Sequence, residues 1–273
     1  MPGGFAPRLC VVAALWLLLL PASLHADPEH GSRIRRLTRE IAAAPGQASL
    51  YLRRGTLERE RRDFERAAAL EPELDGLELA RAQLWLEAGR AERARATLDR
   101  LLVREPGNAH ALVLRGRACA ALGDPLAAAA ELGAALRQIE TPTPELYLER
   151  AALLRRAGEP QLAAALAGLD EGIARLGPAY ALVEAAIEIE VERAHWAGAL
   201  ARSRALPAAL LRQPEWHSRR GDWLRASVRE AEAQQAYRAA LAALKSEPSR
   251  RSAEASAALE RGLLASLAAS PSR

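Results

Sequence analysis

Three stretches of this chain repeat one pattern at nearly constant spacing. They are GRAERA at residues 89–94, GDPLAA at residues 123–128 and GEPQLA at residues 158–163. The first two stretches begin 34 residues apart, and the last two begin 35 apart. In each stretch the glycine is positioned to end one amphipathic helix, and the alanine five residues later begins the packed face of the next helix. The pattern predicts a row of helical hairpins in which each hairpin packs on its neighbours.

The composition agrees with a helical fold. Hydrophobic residues make up 50% of the chain but aromatic residues only 4%, and most of the hydrophobic residues are alanine and leucine. These residues favour packed helices over strands. The predicted fold class is therefore all-α.

Small residues also recur seven positions before each glycine, at Ala82, Gly116 and Ala151. A small side chain there lets the two helices of a hairpin approach closely. Together with the glycine spacing, these positions resemble the tetratricopeptide repeat (TPR), a 34-residue helix–turn–helix unit, as found in exported bacterial TPR proteins. The resemblance covers roughly residues 48–243, and it implies a right-handed α-solenoid whose concave groove is lined by the first helix of each unit.

Two further units follow the pattern less regularly. Residues 180–206 carry Trp196 and Ala199 at the expected offsets, but Ala194 stands where the turn glycine belongs. Residues 214–243 carry Gly221 as the small residue, and Val228 replaces the turn glycine. Both segments are predicted to be helical hairpins of the same array.

The first unit of the array is shortened. Residues 50–57 resemble a first helix and residues 62–72 the end of a second, but seven residues of the 34-residue frame are missing between them. Neither glycine nor proline occurs between Thr56 and Leu70, which favours one continuous helix over residues 49–70. A short distorted hairpin is the alternative.

These features divide the chain into four segments. Residues 1–26 are a signal peptide, residues 27–47 an N-terminal helical segment, residues 48–247 the repeat array, and residues 248–273 a capping helix and tail. In the last segment apolar residues recur every four positions, as at Leu259, Leu263 and Leu267. That helix is expected to cover the exposed apolar end of the array.

The N-terminal segment has the features of a secretory leader. Arg8 precedes an uncharged apolar run at residues 9–20, and small residues stand before Asp27. This order is typical of a cleaved signal peptide and predicts a periplasmic or secreted protein. The alternative is a membrane anchor left uncleaved, although twelve apolar residues are fewer than the ~20 that span a bilayer. Cleavage would leave Cys119 as the one cysteine, which predicts a buried small hydrophobe and no internal disulfide.

The sequence contains none of the common catalytic motifs. His-Glu-x-x-His, Cys-x-x-Cys, phosphate-binding glycine loops and Gly-x-Ser-x-Gly do not occur. We therefore predict a protein that is not an enzyme, with no catalytic residues, no metal and no cofactor. With 38 basic against 34 acidic residues and no basic stripe, nucleic-acid binding is not expected either, and no stable membrane span should remain after cleavage.

Charged residues on the implied concave face are the candidate binding residues. The resemblance places six of them there: Arg117, Arg155, Glu184, Glu188, Asp222 and Arg225. The arginines could hold an acidic segment and the glutamates a basic one. The alternative is that these charges pair within the solenoid. The predicted function is a protein- or peptide-binding scaffold of the cell envelope, and the alternative is a fixed subunit of an envelope complex.

Overall fold

The computed structural model describes residues 28–59, 61–72, 74, 76–246 and 253–269. The predicted signal peptide, residues 1–26, lies outside the described residues. Across the described ranges the regular elements are helices, without any strand, which confirms the all-α prediction. The helices are α1 (Pro28–Ala43), α2 (Ala48–Glu58), α3 (Arg61–Leu70), α4 (Leu77–Glu87), α5 (Ala91–Arg104), α6 (Ala109–Ala121), α7 (Pro125–Gln138), α8 (Pro144–Arg156), α9 (Leu162–Leu176), α10 (Tyr180–Glu192), α11 (Trp196–Ser203), α12 (Ala208–Leu211), α13 (Pro214–Ala226), α14 (Glu230–Ser246) and α15 (Ala253–Ala268).

The chain forms two compact units, the first ending at Leu84 and the second beginning at Trp85. In the first unit α1 packs on α2 through Leu37, Ile41 and Leu50, which are almost fully buried. The predicted N-terminal segment is therefore helical and packs on the next helix through one apolar face. A second cluster in this unit forms around Phe64 and Leu77.

The favoured prediction of one continuous helix over residues 49–70 is wrong. The chain turns at Arg59, whose backbone takes a left-handed conformation with φ of 52°, and α2 and α3 fold back on each other as a short hairpin. Gly55 makes this possible, because a Cβ atom there would lie only 3.0 Å from the Phe64 ring.

An ion pair also holds this hairpin closed. The Arg54 guanidinium donates hydrogen bonds of 2.7 Å to both carboxylate oxygens of Asp63, which is 4% exposed. In a continuous helix these residues would lie about 13 Å apart along the axis. The pairing therefore stabilises the hairpin, since leaving the buried carboxylate unpaired would be costly.

In the second unit consecutive helices pack as hairpins that stack into an α-solenoid. The pairs α6–α7, α8–α9, α10–α11 and α13–α14 each pack closely, and α7 contacts α8, α9 contacts α10, and α11 contacts α13. Successive buried clusters run along this stack, with Leu132 and Leu169 in one, Ile187 in the next and Tyr237 in the last.

One turn recurs in four hairpins whether or not glycine is present, whereas Gly158 takes φ of 108° and is followed by a short 3₁₀ helix, Glu159–Gln161, before α9. Gly89 and Gly123 have φ values of 69° and 86°, as predicted, and Ala194 and Val228 take 53° and 59°. In all four turns the next residue donates its N–H to a carbonyl five residues back, over 2.8 or 2.9 Å. This is the bonding of a glycine-type helix C-terminus, so the two irregular units keep the turn although they lack its usual residue.

The C-terminal helix α15 packs against α14, as predicted. Leu263 is 1% exposed and lies in one cluster with Tyr237 and Ala240, flanked by Leu259 and Leu267. Burial also accounts for Cys119, which is 8% exposed and lies among apolar residues, as predicted. Its burial raises the pKa of the thiol, which disfavours the reactive thiolate. Among the helices described here, none is both long and apolar enough to cross a membrane.

We expect opposite effects when two helical glycines are replaced by alanine. A Cβ at Gly221 would lie 2.5 Å from the ring of Tyr237, which is fully buried and cannot move aside. Gly221→Ala should lower the free energy of unfolding by about 1–3 kcal/mol. Gly262 in α15 has open space around it, so Gly262→Ala should raise stability by about 0.5–1 kcal/mol. Urea unfolding measures both values, and similar values for the two variants would contradict the close approach of α13 and α14.

We further expect Val228→Gly to stabilise the protein. Val228 is β-branched, has a left-handed backbone and is 91% exposed, so removing its side chain relieves strain without opening the core. The gain should be about 0.5–1 kcal/mol, because glycine also gains freedom in the unfolded chain. Val103, which is 84% exposed in α5, provides the control. There the same change should cost a few tenths of a kcal/mol, and thermal unfolding that ranks the two variants in the reverse order would rule out this account.

Candidate functional site

Four of the six predicted groove residues form ion pairs between the first helices of successive repeats. Arg117 on α6 donates two hydrogen bonds of 3.0 and 2.9 Å to Glu149 on α8. Arg155 on α8 pairs with Glu188, over 3.2 Å, and with Glu192, both on α10. Glu184 on α10 lies 3.5 Å from Arg219 on α13. These pairs join α6, α8, α10 and α13 in order.

The other two predicted residues serve the C-terminal hairpin. Asp222 accepts a 2.8 Å hydrogen bond from the Tyr237 hydroxyl. Burial raises the pKa of Tyr237, and the bond to Asp222 raises it further, so the phenol stays protonated and donates. Arg225 pairs with Glu230, donates to the Ser266 carbonyl over 2.6 Å and lies over the Tyr237 ring. These contacts connect α13 with α14 and α15.

The structure therefore brings Arg155 and Glu188 together but does not gather the six residues into one site. Pairs of this exposure contribute only about 0–1 kcal/mol each, so a ligand could displace them. It would nevertheless compete with partners already in place. Peptide binding by these residues stays a prediction.

A pocket of about 580 Å³ opens further along the second unit, where the repeat is interrupted. The second helix of this repeat, α11, has eight residues, whereas the second helices α7 and α9 have 14 and 15. Pro207 follows α11 and Pro214 begins α13, so the chain between them makes only the single turn α12. The missing helical turns leave a space beside α13.

Apolar side chains form the floor of this pocket. Trp216 and Trp223 of α13 are 6% and 5% exposed, and their rings meet edge to face at 6.3 Å. Leu200 of α11, Leu211 of α12 and Leu224 of α13 complete the apolar part of the lining. The volume lies within the roughly 300–1,000 Å³ of pockets that bind small ligands.

Four exposed arginines surround this floor: Arg204, Arg212, Arg220 and Arg229. We call this site the arginine pocket. Within the described part of the chain, no aspartate or glutamate lines it. The rim is therefore positive without a carboxylate in the pocket itself, and the arrangement suits an anionic ligand.

The rim arginines differ in how far the protein already satisfies them. Arg229 donates bonds of 2.8 and 2.6 Å to Glu232, and Arg212 donates to the Ala208 carbonyl over 3.3 Å. The side chains of Arg204 and Arg220 form no hydrogen bond or ion pair with any residue the structure describes. Their donors remain available to a ligand.

His217 is the one ionisable group in the pocket that could change charge near neutral pH. Burial lowers its pKa, and the neighbouring Arg220 lowers it further. The imidazole is therefore neutral at physiological pH and can both donate and accept a hydrogen bond. Over the described ranges, no group of three or more His, Cys, Asp or Glu residues could hold a metal ion.

Sequence reasoning missed the arginine pocket. It depends on residues from α11, α12 and α13 that lie far apart in the repeat pattern, and none of them stands at a groove position. A signal was present in Pro207 and Pro214, because two prolines within eight residues cannot belong to the long second helix that the repeat requires. The arginines and tryptophans around these prolines could then have been identified as lining residues.

The fold is shared with solved structures of low sequence identity. The crystal structure of YrrB, a TPR protein with an unusual peptide-binding site, is 15% identical, covers 72% of this chain and 97% of its own, and gives a TM-score of 0.52. The chain has the tetratricopeptide-repeat fold. MamA is also 15% identical, with a TM-score of 0.51 over 65% of this chain and 95% of its own.

A further TPR protein, from Parabacteroides merdae ATCC 43184, is 17% identical and aligns over 88% of this chain and 94% of its own, with a TM-score of 0.49. No protein-family model and no curated protein matches the sequence. At such identities the comparisons concern the TPR fold alone, so the function has to be argued from the side chains.

Proposed function

We propose that this TPR protein is a non-catalytic scaffold that binds a polypeptide segment of another protein in the cell envelope. The observation that carries the proposal is the arginine pocket, a concave site with apolar floor and unsatisfied donors in a fold of helical repeats. Stacked repeats provide extended surfaces suited to binding. That YrrB has a peptide-binding site supports the same reading of this chain.

The exposed apolar residues favour a scaffold over a fixed subunit. The large hydrophobic side chains that are most exposed are Val103, Leu126, Tyr180, Val228 and Leu264. They lie on α5, α7, α10, a turn and α15, and so are scattered singly. A permanent subunit usually carries a contiguous apolar patch, and scattered residues are ordinary on a protein that binds its partners reversibly.

The envelope location rests on the sequence of residues 1–26. We expect a fusion of these residues to a reporter enzyme that is active only after export to give activity, and Leu18→Arg to abolish it by interrupting the apolar run. N-terminal sequencing of the exported chain should begin at Asp27. Reporter activity unaffected by Leu18→Arg would contradict export through this segment, and an intact N-terminus would indicate the membrane-anchored alternative.

Binding can be tested by filling the arginine pocket. Ala208 on α12 is exposed and lines the pocket, so Ala208→Trp should occupy it without disturbing the core. Purified wild-type protein should capture polypeptides from an envelope extract, and this variant should capture several-fold less. Ala164→Trp, at an exposed position of α9 outside the pocket, is the matched control and should capture as the wild type does. Equal capture by all three would place binding elsewhere, and no capture by any would end the scaffold proposal.

A further inference from the structure

We propose that the arginine pocket binds an acidic peptide segment that carries an apolar side chain between its carboxylates. The inference rests on the proposed scaffold function and names the chemistry of its partner. It follows from three observations: the charge at the rim, the apolar floor and the shape of the site.

The charge of the rim selects the sign of the ligand. Arg204 and Arg220 each present a planar guanidinium without a hydrogen-bonded or ion-paired partner among the residues described, and such groups bind carboxylates through paired hydrogen bonds. Arg220 acts on Glu232 only at longer range, where its charge, after that of Arg229, helps to lower the pKa of the carboxyl. Arg212 and Arg229 add positive charge on the same rim. A basic segment would meet like charges, whose close approach costs several kcal/mol (order of magnitude).

The apolar floor favours an apolar side chain between the carboxylates of the ligand. Trp216, Trp223 and Leu224 are almost fully buried. The more accessible apolar lining comes from Leu200, Leu211 and the exposed Ala208. A ligand with carboxylates alone would leave this apolar surface exposed to water. An apolar side chain would cover it and contribute about 25 cal/mol for each Å² removed from water.

The shape of the site favours a peptide over a membrane surface. The two indoles are buried whereas the four rim arginines are exposed, so a flat bilayer could reach the arginines but not the indoles. A membrane-binding surface shows the opposite order, with apolar groups exposed outermost.

The rim arginines are distinct from the predicted groove residues. Arg220 lines the pocket, whereas Asp222, two residues later, bonds to Tyr237. Successive helical residues are about 100° apart, so these two side chains leave α13 on nearly opposite sides. Arg219, the residue before Arg220, pairs with Glu184 of α10 and also lies over the rings of Trp216 and Trp223, at 4.3 and 5.4 Å. The floor of the pocket therefore borders the first-helix ion pairs through Arg219, while its rim takes no part in them.

The test is a titration of the purified full-length protein with labelled synthetic peptides. The acidic peptide has glutamates flanking a pair of leucines; a second peptide replaces each glutamate by glutamine, and a third replaces the leucines by alanines. We expect the acidic peptide to bind, the glutamine peptide to bind at least about tenfold more weakly, and raised salt to weaken the first and not the second. The alanine peptide should also bind more weakly. Equal binding of the glutamine peptide would overturn the proposal, and equal binding of the alanine peptide would overturn its apolar part.

Matched arginine variants locate the site. The double variant Arg204→Ala with Arg220→Ala should weaken the acidic peptide at least about tenfold. Both side chains are exposed and unpaired, so folding should be preserved, which circular dichroism can verify. Arg156→Ala with Arg238→Ala removes the same charge from exposed positions outside the pocket and should leave the affinity within about twofold of the wild type, which limits the contribution of net charge. Equal losses in the two double variants would reduce the effect to net charge and overturn the assignment.

Three further outcomes separate this inference from others. Vesicles of anionic phospholipid that bind the wild type but not the pocket variant, with no peptide binding, would replace the peptide by a membrane. Capture of envelope proteins that is insensitive to the pocket arginines would leave the scaffold function standing and remove this inference. Binding of the acidic peptide without any captured protein would leave this inference standing and remove the scaffold function.

Discussion

The hairpins of the second unit depend on one backbone constraint, a left-handed residue in the turn after the first helix. At Gly89, Gly123, Ala194 and Val228 it reverses the chain within one turn while the following N–H satisfies a carbonyl of the helix just ended. In the hairpins α6–α7, α10–α11 and α13–α14 the second helix therefore lies directly against the first. Close packing then requires a small residue seven positions earlier, and a Cβ at Gly116 or Gly221 would press on the partner helix. A tight turn therefore requires both a left-handed residue in the turn and a small residue seven positions before it.

The sequence predicted this architecture well because the constraint is local. A glycine or small residue at fixed spacing identifies each hairpin, and the pattern could still be recognised where alanine or valine stands in place of the glycine. The hairpin of α2 and α3 was only the alternative prediction, because Arg59 is an ordinary helix former and its left-handed conformation is imposed by contacts across the hairpin. The pairing of Arg54 with the buried Asp63 belongs to tertiary structure, and residue propensity cannot reveal it.

For the candidate site, too, local features could be predicted from the sequence and tertiary contacts could not. Helical periodicity placed Arg155, Glu184 and Glu188 on first helices, but it could not tell that each already faces a charge of opposite sign on a neighbouring repeat. The arginine pocket was missed for a related reason. It exists because α11 stops early, and what an interrupted repeat exposes depends on side chains from its neighbours.

The contrast between the two charged surfaces gives the argument for function. On the first-helix face the arginines have carboxylate partners, and these pairs align successive repeats at little cost in solvation. At the pocket rim Arg204 and Arg220 have no such role in the described structure, and both lie where the repeat departs from its regular form. Arginines without a partner in the described structure occur elsewhere on the second unit, as at Arg156, but those at the rim converge on a concavity with an apolar lining. That combination suits recognition of an outside carboxylate, because a ligand there replaces water and displaces no hydrogen bond or ion pair described for Arg204 or Arg220.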